Sequence, residues 1–380
     1  MLRVAPLMLF AVALPLAAQA PARRTLEFTG LVLVNGFYNS AHVANVDVPL
    51  LADTDNIGVK SAGGSIRQTR LGVLLTDPDV LGGSFAGEVD ADFYGGQQPS
   101  SGGRTFPLLR LRRVTGTVTW PHAELLIGQE APLVAGRSPR SLAAIGFPDF
   151  AGSGNLWLWI PQVRFTVEAG YTLRLAFQGA LLAPTTGAAQ PAFFTQADSA
   201  ERTARPELEG RLRLGWGATD DPSEIAIGGH LGWIKGMDSV SGDSILTSRA
   251  LTVDTRVKLG VAEIVGEAFT GQALAGLGGG GIGQNFGVQG VPVRTRGGWA
   301  QLNIRPTAQW MFGGGGGIDD PNDADVPATG RFRNVAFEGH VEWRPPGPLI
   351  FGFEFRRLQT RYAAGDFAVN HMNLAAGYRF

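Results

Sequence analysis

The last eight residues of the chain, 373–380, are the feature that most constrains its fold. Apolar or aromatic side chains stand at the even positions and end with Tyr378 and Phe380, whereas polar or very small residues stand at the odd positions. A repeat of two residues gives a β-strand one apolar face and one polar face. The pattern therefore predicts an amphipathic strand that runs to the final residue.

The same two-residue alternation recurs along the whole chain. Leu208, Leu212 and Leu214, for example, alternate with charged residues at 207, 209, 211 and 213. Short connections alternate roughly with longer ones rich in Gly, Pro, Ser and Asp, as in barrels with short periplasmic turns and longer external loops. We mark sixteen segments, at 25–38, 65–77, 84–94, 108–120, 122–130, 157–168, 170–182, 206–217, 223–235, 247–259, 261–271, 294–305, 307–316, 331–344, 348–360 and 367–380.

Composition excludes several classes of protein. The chain has 54 Gly, 44% hydrophobic residues and only 17% charged residues, which suits neither a helical protein nor a disordered one. It has no Cys, which excludes disulfides and thiolate chemistry, and its net charge of −1 gives no reason to expect nucleic acid as a partner. After residue 20 no run of 18 apolar residues occurs. We predict an all-β fold, a transmembrane antiparallel β-barrel of about sixteen strands.

The N-terminus has the features of a cleavable secretory signal peptide over residues 1–20. Arg3 provides a positive start, 4–16 are mainly apolar, and Ala18-Gln19-Ala20 forms a small-x-small cleavage site. The alternative is an N-terminal membrane anchor, for which the apolar run is short. The barrel domain is then expected over 21–380.

Several short motifs resemble the DcaP-like group of outer-membrane porins, as the C-terminal strand resembles the assembly signal of outer-membrane barrels. The motifs are RQTRLG at 67–72, GEVDADF at 87–93, LRLR at 109–112, LIGQ at 126–129, IPQVR at 160–164 and IDDPND at 318–323. The resemblance implies a passive, trimeric, sixteen-strand channel in the bacterial outer membrane, in some members with a preference for small anionic solutes. It also implies that the barrel-assembly machinery reads Tyr378 and Phe380. We expect no N-terminal helical extension of the kind that some members carry.

Charged side chains on three consecutive predicted strands are candidates for the pore lining. They are Arg67 and Arg70, then Glu88, Asp90 and Asp92, then Arg110 and Arg112 with Arg113. If they point inward, basic, acidic and basic rows lie side by side and create a transverse field that sorts ions. The alternative is that they only brace the wall as ion pairs. Arg110 and Arg112 share their parity with the apolar Val114, Val118 and Trp120, a conflict that a β-bulge near Arg113 would resolve.

The connection 131–155 is the candidate constriction. Unstructured loops of this length are usually functional or disordered, and porins of similar design fold the loop after the fifth strand into the channel. Arg137, Arg140 and Asp149 would then narrow the pore. The alternative is an ordinary external loop.

The acidic stretch 319–325 is a weak candidate for a Ca²⁺ site. Asp319, Asp320, Asp323 and Asp325 could supply oxygen ligands, but the pattern lacks the Gly and the distant Glu of an EF-hand loop. A solvated loop is the alternative, and we expect no resident metal or cofactor.

Aromatic residues near the predicted strand ends suit the girdles that flank the apolar band of a membrane barrel. They are Trp120, Trp157, Trp159, Trp216, Trp233, Trp299, Trp310, Trp343, Tyr378 and Phe380.

The function that these patterns favour is passive diffusion of small hydrophilic solutes through a water-filled barrel lumen. The expected partners are outer-membrane lipid, the barrel-assembly machinery, the solutes and two further copies of the chain. The five His residues are scattered and no G-x-S-x-G motif occurs, so we expect no enzyme. The alternative function is a non-transporting structural or adhesive barrel whose loops bind a partner.

Overall fold

The computed structural model describes residues 23–55, 58–96, 107–188, 196–238 and 242–380. The predicted signal peptide at 1–20 lies outside these residues. Within the described part, no helix is long and apolar enough to cross a lipid bilayer.

Antiparallel strands form one closed sheet. Strand β1 pairs with the last strand, β17, on one edge and with both β2 and β3 on the other. Because β2 and β3 both pair with β1 and are separated only by 66–69, they act as one interrupted strand. The barrel therefore has sixteen strands, as predicted, and one of them is in two pieces. The strands are β1 Thr25–Asn39, β2 Ser61–Ser65, β3 Arg70–Val80, β4 Gly83–Asp92, β5 Arg110–Trp120, β6 Ala123–Glu130, β7 Ile160–Gly170, β8 Leu173–Leu182, β9 Glu207–Trp216, β10 Ser223–Asp238, β11 Gly242–Leu259, β12 Ala262–Gln272, β13 Arg294–Ile304, β14 Trp310–Pro321, β15 Arg331–Trp343, β16 Leu349–Tyr362 and β17 Gly365–Arg379.

In the described residues, the only helices within the connections are short 3₁₀ turns. These 3₁₀ turns are Leu133–Ala135, Glu201–Thr203, Ala275–Leu277, Gly281–Gly283 and Val288–Gly290.

The two faces of each strand are inverted relative to a water-soluble protein. On β8 and β9, Phe177 and Leu212 are exposed on the outside, whereas Gln178 and Arg211 are buried on the inside. An apolar exterior with a polar interior is the arrangement of a barrel that faces lipid. The apolar core lies inside the barrel, where the connection after β6 packs on the wall through Leu133, Val134 and Leu156.

The seam between β1 and β17, which closes the barrel, extends to the last residue. Gly30 and Phe380 exchange both backbone hydrogen bonds, at 3.0 and 3.2 Å. A Cβ added at Gly30 would lie 2.3 Å from the Phe380 ring, so the glycine leaves the space that the ring occupies.

We predict that Gly30→Val weakens this closure, because the new side chain displaces the Phe380 ring. Overpacking of this kind costs about 1–3 kcal/mol. The midpoint of thermal unfolding, followed by circular dichroism in detergent, should fall. Gly36→Val is the matched control on the same strand, since a Cβ there meets nothing within 4 Å. An equal fall in both variants would contradict the explanation.

Candidate functional site

The connection after β6 runs through the barrel interior, as predicted for 131–155. We call residues 131–159 the inner segment. It makes hydrogen bonds or ion pairs with the inner face of most of the wall rather than with one side of it. Its partners, in order along the segment, are Glu209, Asp254, Glu224, Glu263, Gln301, Glu354, Gln68, Arg356, Asn334 and Glu267.

The beginning of the inner segment is anchored to β9, β10 and β11. The amide of Leu133 donates to Glu209 Oε2 at 2.6 Å. Arg137 Nε donates to Asp254 Oδ1 at 2.7 Å and its Nη2 to Glu224. Burial lowers the pKa of Arg137, but the two carboxylates outweigh that effect and raise it above its ordinary value. Arg137 therefore stays positively charged and holds the segment to the wall, and it also borders an open space inside the barrel.

The middle of the inner segment is held by two amide side chains of the wall. The Gln301 amide accepts from the Arg140 amide at 2.8 Å and donates to its carbonyl at 2.9 Å. On the other side, Gln68 Oε1 accepts from the Ile145 and Gly146 amides, at 2.6 and 3.0 Å. Each wall side chain thus satisfies backbone groups that would otherwise be buried unpaired.

The far end of the segment contains Asp149, a predicted pore charge that the structure buries. Asp149 pairs with Arg356 of β16, and both side chains are 2% exposed or less. The expectation that Asp149 narrows the pore is wrong in geometric terms, because its carboxylate faces the wall. Asn334 and Glu267 hold the neighbouring residues through Gly152 and Leu156.

The charged rows on β3, β4 and β5 lie side by side, as expected, and they form ion pairs. Arg70 contacts Asp90 at 2.7 Å, and Arg110 contacts Asp92 at 2.6 Å. Arg112 lies 3.5 Å from both carboxylates. The two readings of these rows are therefore compatible: the charges brace the wall, and several of them border open space.

A β-bulge resolves the conflicting parity on β5, as predicted. Asp90 pairs with Arg113 but Ala91 pairs with Leu111, so Arg112 is the extra residue. Beyond the bulge, Arg113 faces inward in phase with Thr115, and it contacts Glu88 and Glu130 at 3.0 and 2.6 Å; the bulge brings Arg110 and Arg112 to the same side. Three arginines within four residues consequently share one face.

Arg67 belongs to a separate cluster at the break between β2 and β3. It forms an ion pair with Asp47 of the β1–β2 connection, and Tyr94 donates to the same carboxylate at 3.1 Å. Burial raises the pKa of Asp47, but hydrogen bonds from Arg67 and Ser65 outweigh burial and hold the pKa below its usual value.

An open space of about 670 Å³ lies between the inner segment and the wall. Seven arginines and four carboxylates line it, an excess of three positive charges. Seven predicted pore residues are among them: Arg70, Glu88, Asp90, Arg112, Arg113, Arg137 and Arg140. Arg67, Asp92, Arg110 and Asp149 lie outside this lining.

Sequence reasoning missed two arginines of the lining, Arg344 and Arg379. Arg344 contacts Glu342 at 2.7 Å and follows the end of β15. The sequence could have identified Arg379, because it stands at an odd-numbered position of β17 like the inward-facing His371 and Asn373.

Two predicted girdle residues lie instead in the inner segment. Trp157 and Trp159 line the open space, and their rings are 5.4 Å apart. Arg112 lies 4.6 Å from the Trp159 ring centre, which is a cation–π distance. Trp299 is also internal and stacks on Phe150. By contrast, Trp310, Trp343, Tyr378 and Phe380 are exposed on the outside, as expected for a girdle.

The four aspartates of the calcium hypothesis do not converge. Asp319 is buried and accepts from the Gly281 and Ile282 amides and from Thr295. The other three each pair with a different arginine: Asp320 with Arg296, Asp323 with Arg361 and Asp325 with Arg294. Because the carboxylates already have separate partners, this geometry does not form a calcium site.

One internal cluster has the connectivity of a hydrolase triad. His230 lies 3.1 Å from Glu209 Oε1 and 3.1 Å from Ser248 Oγ. All three residues are buried, and the second oxygen of Glu209 accepts from the Leu133 amide. A nucleophile must be open to substrate, so the arrangement supports the inner segment rather than a hydrolytic reaction.

Comparison with solved structures gives the same architecture. The chain is similar to the outer-membrane channel DcaP of Acinetobacter baumannii, with a TM-score of 0.71 and 16% identity over 96% of this chain and 100% of that one. The chain has the fold of the outer-membrane porins. It is also similar to an anion-selective porin from Comamonas acidovorans, with a TM-score of 0.60 and 12% identity over 94% and 100% of the two chains.

A third similar structure of this porin fold is the in-vitro folded OmpT of Vibrio cholerae in its trimer form. The TM-score is 0.56 and the identity 11%, over 94% of this chain and 100% of that one. No protein-family model matches the chain, and no curated protein matches it in sequence. The resemblance expected from the motifs is thus confirmed as a shared fold.

We predict that Asp47→Asn destabilises this porin fold at neutral pH. Breaking one partner of a buried ion pair costs about 3–5 kcal/mol. A carboxyl group with a lowered pKa in the folded state stabilises above its unfolded pKa of about 4, and that contribution disappears as pH falls through the folded pKa. The loss in unfolding free energy should therefore be large at pH 7 and shrink below about pH 4.

Asp323→Asn is the control for this pH dependence. Its carboxylate pairs with Arg361 at an exposed position, where ion pairs contribute little. Urea unfolding in detergent at both pH values measures the difference. A loss for Asp47→Asn that does not change with pH would contradict the role of its charge.

Proposed function

We propose that this protein is a passive porin of the bacterial outer membrane and has no catalytic role. The observation that carries the proposal is the arginine-rich space between the inner segment and the wall. A barrel with an apolar exterior spans a bilayer with all its backbone groups paired, and an incompletely filled polar interior allows water and small solutes to cross. The shared fold with DcaP and with an anion-selective porin supports the same function.

Small anionic solutes are the class that the lining fits best. The lining has an excess of three positive charges. Most carboxylates near the inner segment pair with an arginine, which limits the attraction that they offer to cations. A narrow space whose lining has an excess of charge of one sign raises the local concentration of ions of the opposite sign. Arg70, Arg112 and Arg140 would carry this selectivity together with Arg344 and Arg379.

We predict that Arg140→Glu shifts ion selectivity toward cations. Arg140 lines the space, and its side chain is 42% exposed, the largest exposure among the paired lining arginines. Reversal exchanges one positive for one negative charge and lowers the lining excess from three to one. The reversal potential in a tenfold KCl gradient should move toward the cation limit by several millivolts.

Arg357→Glu is the matched control, because Arg357 lies on β16 next to the inward Arg356 and faces outward, against Asn370. Its reversal potential should remain that of the wild type. An unchanged potential in Arg140→Glu, or an equal shift in both variants, would remove Arg140 from the passage.

We further propose that the protein assembles as a homotrimer, with Tyr378 and Phe380 read by the barrel-assembly machinery. Both aromatic side chains are exposed on the last strand. The trimer form of OmpT supports the assembly by its shared fold. Mass photometry of detergent-solubilised protein should give three chains per particle, and deletion of Phe380 should reduce insertion in vivo.

The competing function is a non-transporting barrel whose loops bind a partner. Discrete current steps in a planar bilayer distinguish the two functions, because a structural or adhesive barrel gives a silent bilayer.

A further inference from the structure

A cluster of one histidine and two glutamates lies on the inner wall beneath the middle of the inner segment. Glu338 and His340 lie on β15, and Glu354 of β16 is paired in register with His340. One potential ligand atom from each lies within 4.8 Å of the others. Among the described residues, no other group of three or more His, Cys, Asp or Glu side chains converges in this way.

The cluster brings three carboxyl groups together with one guanidinium and one imidazole. Glu338, Glu354 and Asp149 are all buried, and the guanidinium of Arg356 contacts two of them, Glu354 and Asp149. With all three carboxyls ionised, the guanidinium and a protonated His340 would leave one negative charge without a partner. Buried charges require compensation, and a divalent cation supplies it.

The two ring nitrogens of His340 have different surroundings. Its Nδ1 lies 3.0 Å from Glu338 Oε2, so a metal ion could replace the shared proton. Its Nε2 has no hydrogen-bond partner although it is buried, and neither has Asn303 Oδ1. A metal-bound histidine normally donates its other N–H to an oxygen acceptor, and Asn303 offers one.

Gly313 shows that these two unpaired atoms face the same small space. Gly313 pairs in register with both Asn303 and His340. A Cβ added at Gly313 would lie 2.4 Å from His340 Nε2 and 2.6 Å from Asn303 Oδ1. The glycine therefore keeps open the position where a hydrogen bond from His340 Nε2 to Asn303 Oδ1 would form. Gln301 holds Glu338 from the other side, at 2.9 Å.

We propose that Glu338, His340 and Glu354 bind a divalent transition-metal ion such as Zn²⁺. One imidazole and two carboxylates are ligands that Zn²⁺ accepts at about 2.0–2.2 Å, with a fourth position for water or for Ser141 Oγ, which donates to Glu354. Because Gln301 also binds both Glu338 and the backbone of Arg140, the ion would fix the middle of the inner segment. The proposal does not depend on transport.

The test uses the untagged, folded protein in detergent after treatment with a chelator, with ZnCl₂ as the only added ligand. Isothermal titration and elemental analysis should give one tightly bound Zn²⁺ per chain, and Zn²⁺ should raise the midpoint of thermal unfolding. His340→Gln and Glu338→Gln should lose the tight ion. Asn303→Ala should weaken binding by about 10–100-fold, the usual effect of removing the acceptor that orients a metal-bound histidine.

His42→Gln is the control for adventitious binding, because His42 lies in a partly exposed pair with Asp53. It should bind Zn²⁺ like the wild type. A wild-type chain that binds Zn²⁺ no more tightly than His340→Gln, or a loss of the ion in His42→Gln, overturns the proposal. Co²⁺ gives a check on the wild type alone: a visible absorption band that Zn²⁺ abolishes supports the site, and the lack of such a band contradicts it.

Discussion

Hydrogen bonding between the wall and the backbone of the inner segment is the constraint on which the rest of the structure depends. A long irregular segment inside a barrel buries amides and carbonyls that have no secondary-structure partners, and such groups are costly when unpaired. The wall supplies the partners through side chains such as Glu209, Gln68 and Gln301. The polar inner face of the strands thus lines the open space and also supplies the hydrogen-bond partners of the inner segment.

The two roles of the inner face, holding the inner segment and bordering the open space, explain the distribution of charge. Carboxylates on β10 to β12 are used to hold arginines of the segment and of the wall, as Asp254 holds both Arg137 and Arg211. Near the open space the balance is different, because the bulge on β5 places three arginines on one face and further arginines stand at the ends of β15 and β17. Structural pairing and an excess of positive charge therefore coexist in one lumen.

Local patterns in the sequence predict the barrel well. The two-residue repeat locates sixteen strands and their apolar faces, and the parity conflict near Arg113 predicts a bulge that the structure contains at Arg112. The interruption between β2 and β3 was not predicted, because Gln68 and Thr69 leave the sheet to bind the inner segment and β1. No local pattern records such a contact.

The candidate site is less accessible to sequence reasoning because its pairs are distant in the chain. Asp149 and Arg356 are 207 residues apart, and nothing near either one shows that the first is buried by the second. Trp157 and Trp159 look like girdle residues because they stand at the start of the predicted strand 157–168, yet they lie in the inner segment and line the open space. The length of the connection and its position after the fifth predicted strand predict that it folds into the barrel. Its individual contacts cannot be predicted, because they form only with strands that the closed barrel brings together.

Accessibility of the inner segment to solutes tests the central claim most directly. The natural chain has no Cys, so a single cysteine reports on one position. Ser138 is exposed and lines the open space, whereas Val34 faces outward on β1. During single-channel recording, an anionic, membrane-impermeant thiol reagent should lower the conductance of Ser138→Cys in discrete steps and leave Val34→Cys unchanged. Labelling of Ser138→Cys, verified by mass spectrometry, with no change in current would contradict the account.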